Sequence, residues 1–478
     1  MANPHSLAQQ LVQQGAIAIS KPFRQQHLPT PRIGDWLFPF CQLAVANTLS
    51  NLMVPLAGLI DTAFLGHLSD IRYLNGVALA TIIFNVIYWS FNFFRMGTTG
   101  PTAQAVGKGD EDEVWLILVR NLLLALGAGI AVWLLRSPIA VIGFALLQAE
   151  PDVRLAAMDF YNGRILDAPA VLLNFVLLGW LLGRSKGKQV VALAMIGNGS
   201  NIALDYWFIQ RLGLESYGAG LATALSQYIT LAAAVGIILA NGVPWHRKAA
   251  IQRQLWLPTA LMPVFNLNRD ILVRTFAIVI SMSLFTNFSS GLGSTILGVN
   301  ALLIQVFLMS AYFMDGIALA VESYAGKFYG SQSQKDLYGL LLLGIGGSVA
   351  LGMVIALFLT LMPNQFFLLL TDHAILLSAI PSYVGWLFPV LGFGGVAFTL
   401  DGYFLGLTDG RSLRNSTLLA ALLGFLPLAI AGYQLALPHL LWLALALLMA
   451  TRAITLAQKV PKTVSAEANL KASLKADL

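Results

Sequence analysis

Long apolar runs, interrupted by glycine, proline and small groups of charge, set the pattern of this chain. Twelve such runs lie at roughly 36–64, 73–106, 114–135, 156–182, 189–209, 218–241, 270–290, 295–326, 337–361, 376–406, 413–433 and 437–455. An α-helix needs about 20 residues to cross a bilayer, and these runs have about that length. They are too long and too continuous for the alternating strands of a barrel. The pattern predicts an all-α polytopic membrane protein with twelve transmembrane helices. An even number places both ends on one side. The longest break, 242–268, is basic and separates six helices in 35–241 from six in 269–455. The polar stretches 1–34 and 456–478 read as a leader and a tail.

The two halves repeat one another. Gly179, Gly183, Gly187 and Lys188 recur as Gly402, Gly406, Gly410 and Arg411, 223 residues further on. Tyr161 and Gly163 fall on Tyr383 and Gly385, and the segments around Gly109 and Gly330 correspond. Six-helix units of equal orientation imply a parallel repeat about an axis along the membrane normal. Cargo is then expected in a central cavity between the halves.

Composition supports the same class. The chain of 478 residues is 57% hydrophobic and 10% charged, with mean hydropathy +0.74. Soluble domains carry about 25% charged residues. One cysteine, Cys41, excludes an intrachain disulfide. Basic residues favour cytoplasmic segments. The leader, Lys108, Arg184, Lys186, Lys188, the central loop, Arg269, Arg274, Lys327, Lys335, Arg411, Arg414 and the tail from Arg452 fall on one side. Arg72, Arg136, Arg154 and Arg211 fall on the other. Both termini are therefore expected in the cytoplasm. Neither a phosphate-binding Gly-x-x-x-x-Gly-Lys-[Ser/Thr] loop nor a His-Glu-x-x-His pair occurs, so no enzyme and no cofactor is expected. The net charge of +6 reads as loop bias rather than nucleic-acid binding.

The chemistry lies in acids at membrane depth, which are expensive and usually face a cavity or a partner. Six fall inside the runs: Asp61, Asp167, Asp205, Asp315, Glu322 and Asp401. Pro55 lacks an N–H, frees the carbonyl of Asn51 and should bend the helix that carries Asp61. Asn201 and Asp205 are four apart and share a helix face. Thr223, on the next run, can join them, and the depths of Asp61 and Asp205 suit one shared pocket. Removal from water favours a carboxyl's neutral form, so such a group can load a proton and let the helix repack. An organic cation competes for the same charge, which is antiport by population shift. Asp315 and Glu322 share a face, and Arg95 is the best placed base for Asp315. Asp167 and Asp401 are expected to be satisfied by backbone groups that kinked helices leave free. Soft or aromatic side chains suit a cargo wall, and Tyr88, Tyr161, Met309, Tyr312 and Met314, with Asp315, are the candidates.

These residues resemble a known family. Val54-Pro-Leu-x-Gly-Leu-Ile-Asp61-Thr-Ala-x-x-Gly-His67-Leu is similar to the first helix of multidrug and toxic compound extrusion (MATE) transporters, above all their DinF branch. Phe94-Arg-Met-x-Thr-Thr-Gly100-x-Thr-Ala-Gln104-Ala, Gly179-Trp-Leu-Leu-Gly183 and Asn198-x-x-Asn201-Ile-x-Leu-Asp205 add to it. So do Leu267-Asn-Arg-Asp270-Ile-x-x-Arg274, Asp315-Gly-x-x-x-Ala-Val-Glu322 and Leu400-Asp401-Gly. The resemblance spans about 35–455. It implies two six-helix lobes around a central cavity and secondary export of cationic or amphipathic compounds. It also implies a bacterial inner membrane, a monomer, and Asp61, Asn201, Asp205 and Thr223 as the N-lobe polar network. The DinF branch points to protons as the coupling ion. The same oxygens suit sodium, and a related architecture suits a lipid or lipid-linked precursor flippase, so both readings stay open at this point.

Overall fold

The computed structural model describes residues 33–463, apart from 69, 148, 241 and 243–257. Among them, eleven helices are long and apolar enough to cross a membrane. They are Gly34–Gly66, Arg72–Lys108, Glu111–Leu134, Pro151–Gly183, Glu215–Ala240, Leu261–Gly291, Ser294–Gly330, Gln334–Leu361, Pro381–Gly406, Gly410–Gln434 and Pro438–Thr463. The twelfth expected span, the fifth in order, is the helix Gly187–Asp205. It misses the hydropathy of the others because it carries Lys188, Gln189, Asn198, Ser200, Asn201 and Asp205. The spans are numbered here first to twelfth along the chain. A short helix, Arg136–Ala145, follows the third.

Local chemistry sets the breaks. The fourth span passes through a 3-10 turn, Ile165–Asp167, just before Pro169. Proline cannot supply the N–H that an unbroken α-helix would need there. The fifth ends in a π-helical segment, Tyr206–Arg211, directly after Asp205. The first helix runs on through both Pro39 and Pro55. Glycine at φ +73° closes the second span at Gly109, where a side chain would be strained.

The repeat is visible as packing. A Cβ added to Gly179 would strike the carbonyl of Arg95, and one on Gly183 that of Thr99. In the second half, Gly402 meets the carbonyl of Ala318 and Gly406 that of Glu322. Each of these residues lies 223 positions after its counterpart. The same ladder thus fastens the fourth span to the second and the tenth to the eighth, as small residues do between membrane helices.

Each lobe has its own apolar core. One gathers Phe84, Phe160, Tyr161, Trp180 and their neighbours, and the other Phe285, Phe307, Met314, Leu391 and Trp442. The lobes meet chiefly at the ends bearing Lys108, Ser185, Lys327 and Thr408. There Gly107 abuts the Lys327 carbonyl and Gly330 the Gln104 carbonyl. Gln104 Nε2 donates to Gly406 O at 2.8 Å, and Ser323 Oγ to Leu182 O at 2.6 Å.

The first helix belongs to both lobes. Its start packs on the C-lobe: Trp36 Nε1 donates to Asp336 at 3.0 Å, and Asn47, Thr48 and Asn51 side chains reach the carbonyls of Gly316, Phe313 and Tyr312, each at 3.5 Å. Its far end joins the N-lobe core through Leu65.

Several expected boundaries shift. The seventh span starts within the expected loop 242–268, because its helix begins at Pro258. Arg274 and Arg452, assigned to one aqueous side, are buried inside helices. The charge of each is answered by an acid within the lobe rather than by water. Nearly all of the leader 1–34, most of the tail 456–478 and the centre of the loop lie outside the described residues.

The close approaches give a stability test. Gly326→Val places a side chain against Ala103 and the carbonyls of Gly100 and Gly406. It should lower stability by about 1–3 kcal/mol. Gly346→Ala meets nothing within 4 Å and should hold or raise it. Thermal unfolding in detergent reads both.

Candidate functional site

A cavity of about 670 Å³ opens within the N-lobe. The first, second, fourth, fifth and sixth spans line it, and its polar wall includes Asp61, Arg164, Asn174, Asn201, Thr223 and Gln227. Three of the four expected network residues, Asp61, Asn201 and Thr223, thus share one cavity. Asp205 stands behind that wall, fully buried, with its carboxyl against that of Asp61. Helix geometry explains the alignment. Asn201 and Asp205 are one turn apart, and Thr223 comes from the adjoining sixth span.

The hydrogen bonding of this cluster is incomplete. Neither oxygen of Asp205 has a donor, nor does Asp61 Oδ1, and Asn201 Nδ2 has no acceptor. Buried acceptors are normally paired. Two carboxyls in contact lack a donor whenever both are ionised, and one proton between them supplies it while removing their repulsion. Thr223 Oγ1 donates to Ala219 O at 3.0 Å, so its lone pairs remain available toward the cavity.

Arg164 and the Asn174–Gln227 pair were not singled out from the sequence. Asn174 Nδ2 donates to Gln227 O at 2.9 Å and to its Oε1 at 3.1 Å. Arg164 Nε lies 3.7 Å from Asp167 Oδ2. In the sequence Arg164 is a base inside a span, one turn before Asp167.

Two of the other acids expected at membrane depth, Asp167 and Asp401, are paired with bases, and this corrects the expectation for both. Asp167 accepts from the Tyr88 hydroxyl and pairs with Arg164. Asp401 accepts from both Arg274 and Arg452. Side chains satisfy these acids rather than backbone groups freed by kinks: Arg164 of the same span and Tyr88 of the second for Asp167, and arginines of the seventh and twelfth spans for Asp401. Asp315 and Glu322 lie within electrostatic reach of Arg95 across the lobe interface.

The expected cargo wall is not found around this cavity: none of Tyr88, Tyr161, Met309, Tyr312, Met314 and Asp315 lines it. Tyr88 is bound to Asp167. Tyr161 stacks on Phe84 at 5.4 Å, is 1% exposed, and donates to Arg136 O at 2.8 Å. Met314 is 0% exposed and packs on Gly352. Tyr88, Tyr161 and Met314 serve the cores of their lobes. Met309 lies at the protein surface, and the Tyr312 carbonyl receives Asn51.

Two matched halves are also what a family comparison finds. A sequence model of the MatE family matches residues 47–207 and 271–430. The chain belongs to the MATE family. Its two matched stretches are the two repeats. This MATE transporter is 36% identical over 428 residues to DNA damage-inducible protein F of Escherichia coli (strain K12), covering 87% of this chain and 90% of that protein. That relation places it in the DinF branch. Solved structures agree on the fold. One is a MATE protein in a bent conformation, with TM-score 0.83 and 18% identity, over 92% of this chain and 98% of that one. Another is an outward-facing multidrug resistance MATE transporter, with TM-score 0.81 and 18% identity, over 94% and 100%.

The structure separates framework acids from the cavity acid. Asp401→Ala leaves two buried guanidinium groups, Arg274 and Arg452, without their carboxylate. It should cost about 3–5 kcal/mol. Asp61→Asn keeps size and polarity at a cavity wall and should change stability little. Thermal unfolding of the two purified variants checks the contrast.

Proposed function

We propose that this MATE transporter exports cationic or amphipathic organic compounds in exchange for protons, with the Asp61–Asp205 pair as the proton carrier. The observation that carries the reading is two buried carboxyls in contact, short of hydrogen-bond donors, at the wall of a cavity. Its volume falls within the about 300–1,000 Å³ of sites for small organic ligands. When the pair is ionised beyond a single charge, it attracts an organic cation. A proton arriving from outside neutralises that attraction and releases the cargo. Asn201 and Thr223 fix the carboxyl geometry.

The first helix carries the signal between lobes. Pro55 lies between its C-lobe anchors, Asn47 to Asn51, and Asp61 in the N-lobe. Its missing N–H leaves one backbone bond unmade at that point, where bending is easiest. A charge change at Asp61 therefore bears on the lobe interface below the proline. Reading the basic ends as cytoplasmic, the lobes are closed on the inner side and both termini are cytoplasmic. The membrane is then the bacterial inner membrane, and the protein works as a monomer without a cofactor.

Efflux of a fluorescent organic cation from proteoliposomes tests this. An imposed pH gradient, with no sodium gradient, should drive efflux by the wild type and not by Asp61→Asn. Unchanged efflux by Asp61→Asn, or efflux that follows sodium alone, would refute proton coupling at this pair.

A further inference from the structure

The cavity carries two opposite charges on its wall. Arg164 lines it together with Asp61. Asp167, the acid paired with Arg164, has a side chain 0% exposed, whereas that of Arg164 is 19% exposed. The base is thus the member of that pair that faces the cavity. Its hold on Asp167 is loose: Nε lies 3.7 Å from Asp167 Oδ2, beyond hydrogen-bond length, and has no hydrogen-bond partner. Asp167 accepts instead from the Tyr88 hydroxyl. Three rings surround the guanidinium carbon: Phe84 at 4.6 Å, Phe160 at 5.6 Å and Tyr88 at 5.8 Å. Such rings hold the guanidinium in place without using its N–H groups as hydrogen-bond donors to oxygen.

A guanidinium stays charged at any working pH, and its planar fork matches the two oxygens of a carboxylate. Asp61 Oδ1 and Arg164 Nε both lack partners, and among the described residues the two side chains form no ion pair with each other. One cavity therefore offers a receptor for a cation and a receptor for an anion. The rest of its wall includes the apolar side chains of Val77, Phe175, Leu178 and Leu193. A simple organic cation drawn to Asp61 is repelled by Arg164, and a simple anion meets the reverse. A compound with both charges on one apolar body satisfies both groups at once.

We propose that Arg164 is the receptor for a carboxylate on the cargo, so that the cavity takes zwitterionic organic compounds, with the cationic end at Asp61 and the carboxylate on the Arg164 fork. The proposal rests on the export reading above and names the second charge of the cargo. A proton on the acid pair then removes one of two holds, and the loss of either one weakens binding.

The test compares two dyes that differ in that one group: a rhodamine with a free carboxylate, and its methyl ester. Binding of each to the purified full-length protein in detergent is read by fluorescence polarisation. The wild type should bind the free acid tighter by about tenfold or more, the worth of a hydrogen bond to a charged group. Arg164→Gln should bring the two affinities together, chiefly by weakening the free acid. Arg164→Lys keeps the charge without the fork and should retain only part of the preference. Equal affinities in the wild type, or an undiminished preference in Arg164→Gln, overturn the proposal. If Arg164→Gln does not fold, Arg164→Lys decides, and an undiminished preference there overturns it. The binding assay needs no transport. Failure of pH-driven efflux is therefore a different result: it removes the proton reading, while the dye preference still reports on Arg164.

Discussion

A carboxylate moved from water into a hydrocarbon layer loses its hydration, and something inside the protein must replace it. This requirement organises the polar interior of the chain. Asp167 has Arg164 and Tyr88, and Asp401 has Arg274 and Arg452. Asp270 has Arg414 at 2.7 Å and Arg269 at 3.1 Å. Asp315 and Glu322 look to Arg95. Asp61 and Asp205 differ, because each has another acid as its nearest answer. A pair of acids is balanced by protons rather than by a fixed base, and protons can leave.

The lobes give that pair its leverage. Glycine ladders lock each lobe internally, with Gly179 and Gly183 in one and Gly402 and Gly406 in the other. A locked lobe moves as a body, so motion concentrates where the lobes meet. The first helix crosses that seam. It is held by C-lobe carbonyls before Pro55 and carries Asp61 beyond it. The proposed coupling thereby rests on one physical link: charge at one end of a helix that contains Pro55, lobe contact at the other.

Much of the fold was legible in the sequence, because bilayer thickness imposes a length that no folding detail can disguise. The repeat was legible too, since close backbone approach admits only glycine and its spacing survives in both halves. The acids and the Asn201–Asp205 spacing were legible because polar groups stand out against an apolar helix. Their partners were not. Arg274 lies 127 residues from Asp401 in sequence, and only the packing of the seventh, tenth and twelfth spans brings Arg274, Asp401 and Arg452 together. Arg164 is only one turn from Asp167, but its place on the cavity wall with Asp61 comes from the packing of the first and fourth spans. Tyr161 and Met314, expected at a cargo wall, lie in the cores instead, because a soft or aromatic side chain suits either place and its type does not say which. The fifth span falls short of the hydropathy of its neighbours because it carries the site.

The central claim is that Asp61 and Asp205 hold one exchangeable proton between them. Infrared difference spectroscopy of the purified protein, stepped from acid to alkaline pH, tests it most directly. The wild type should lose a protonated-carboxyl C=O band on deprotonation, and that band should be missing from the difference spectra of both Asp61→Asn and Asp205→Asn. A band that survives unchanged in both variants would show that the exchangeable proton resides elsewhere, and would contradict the account.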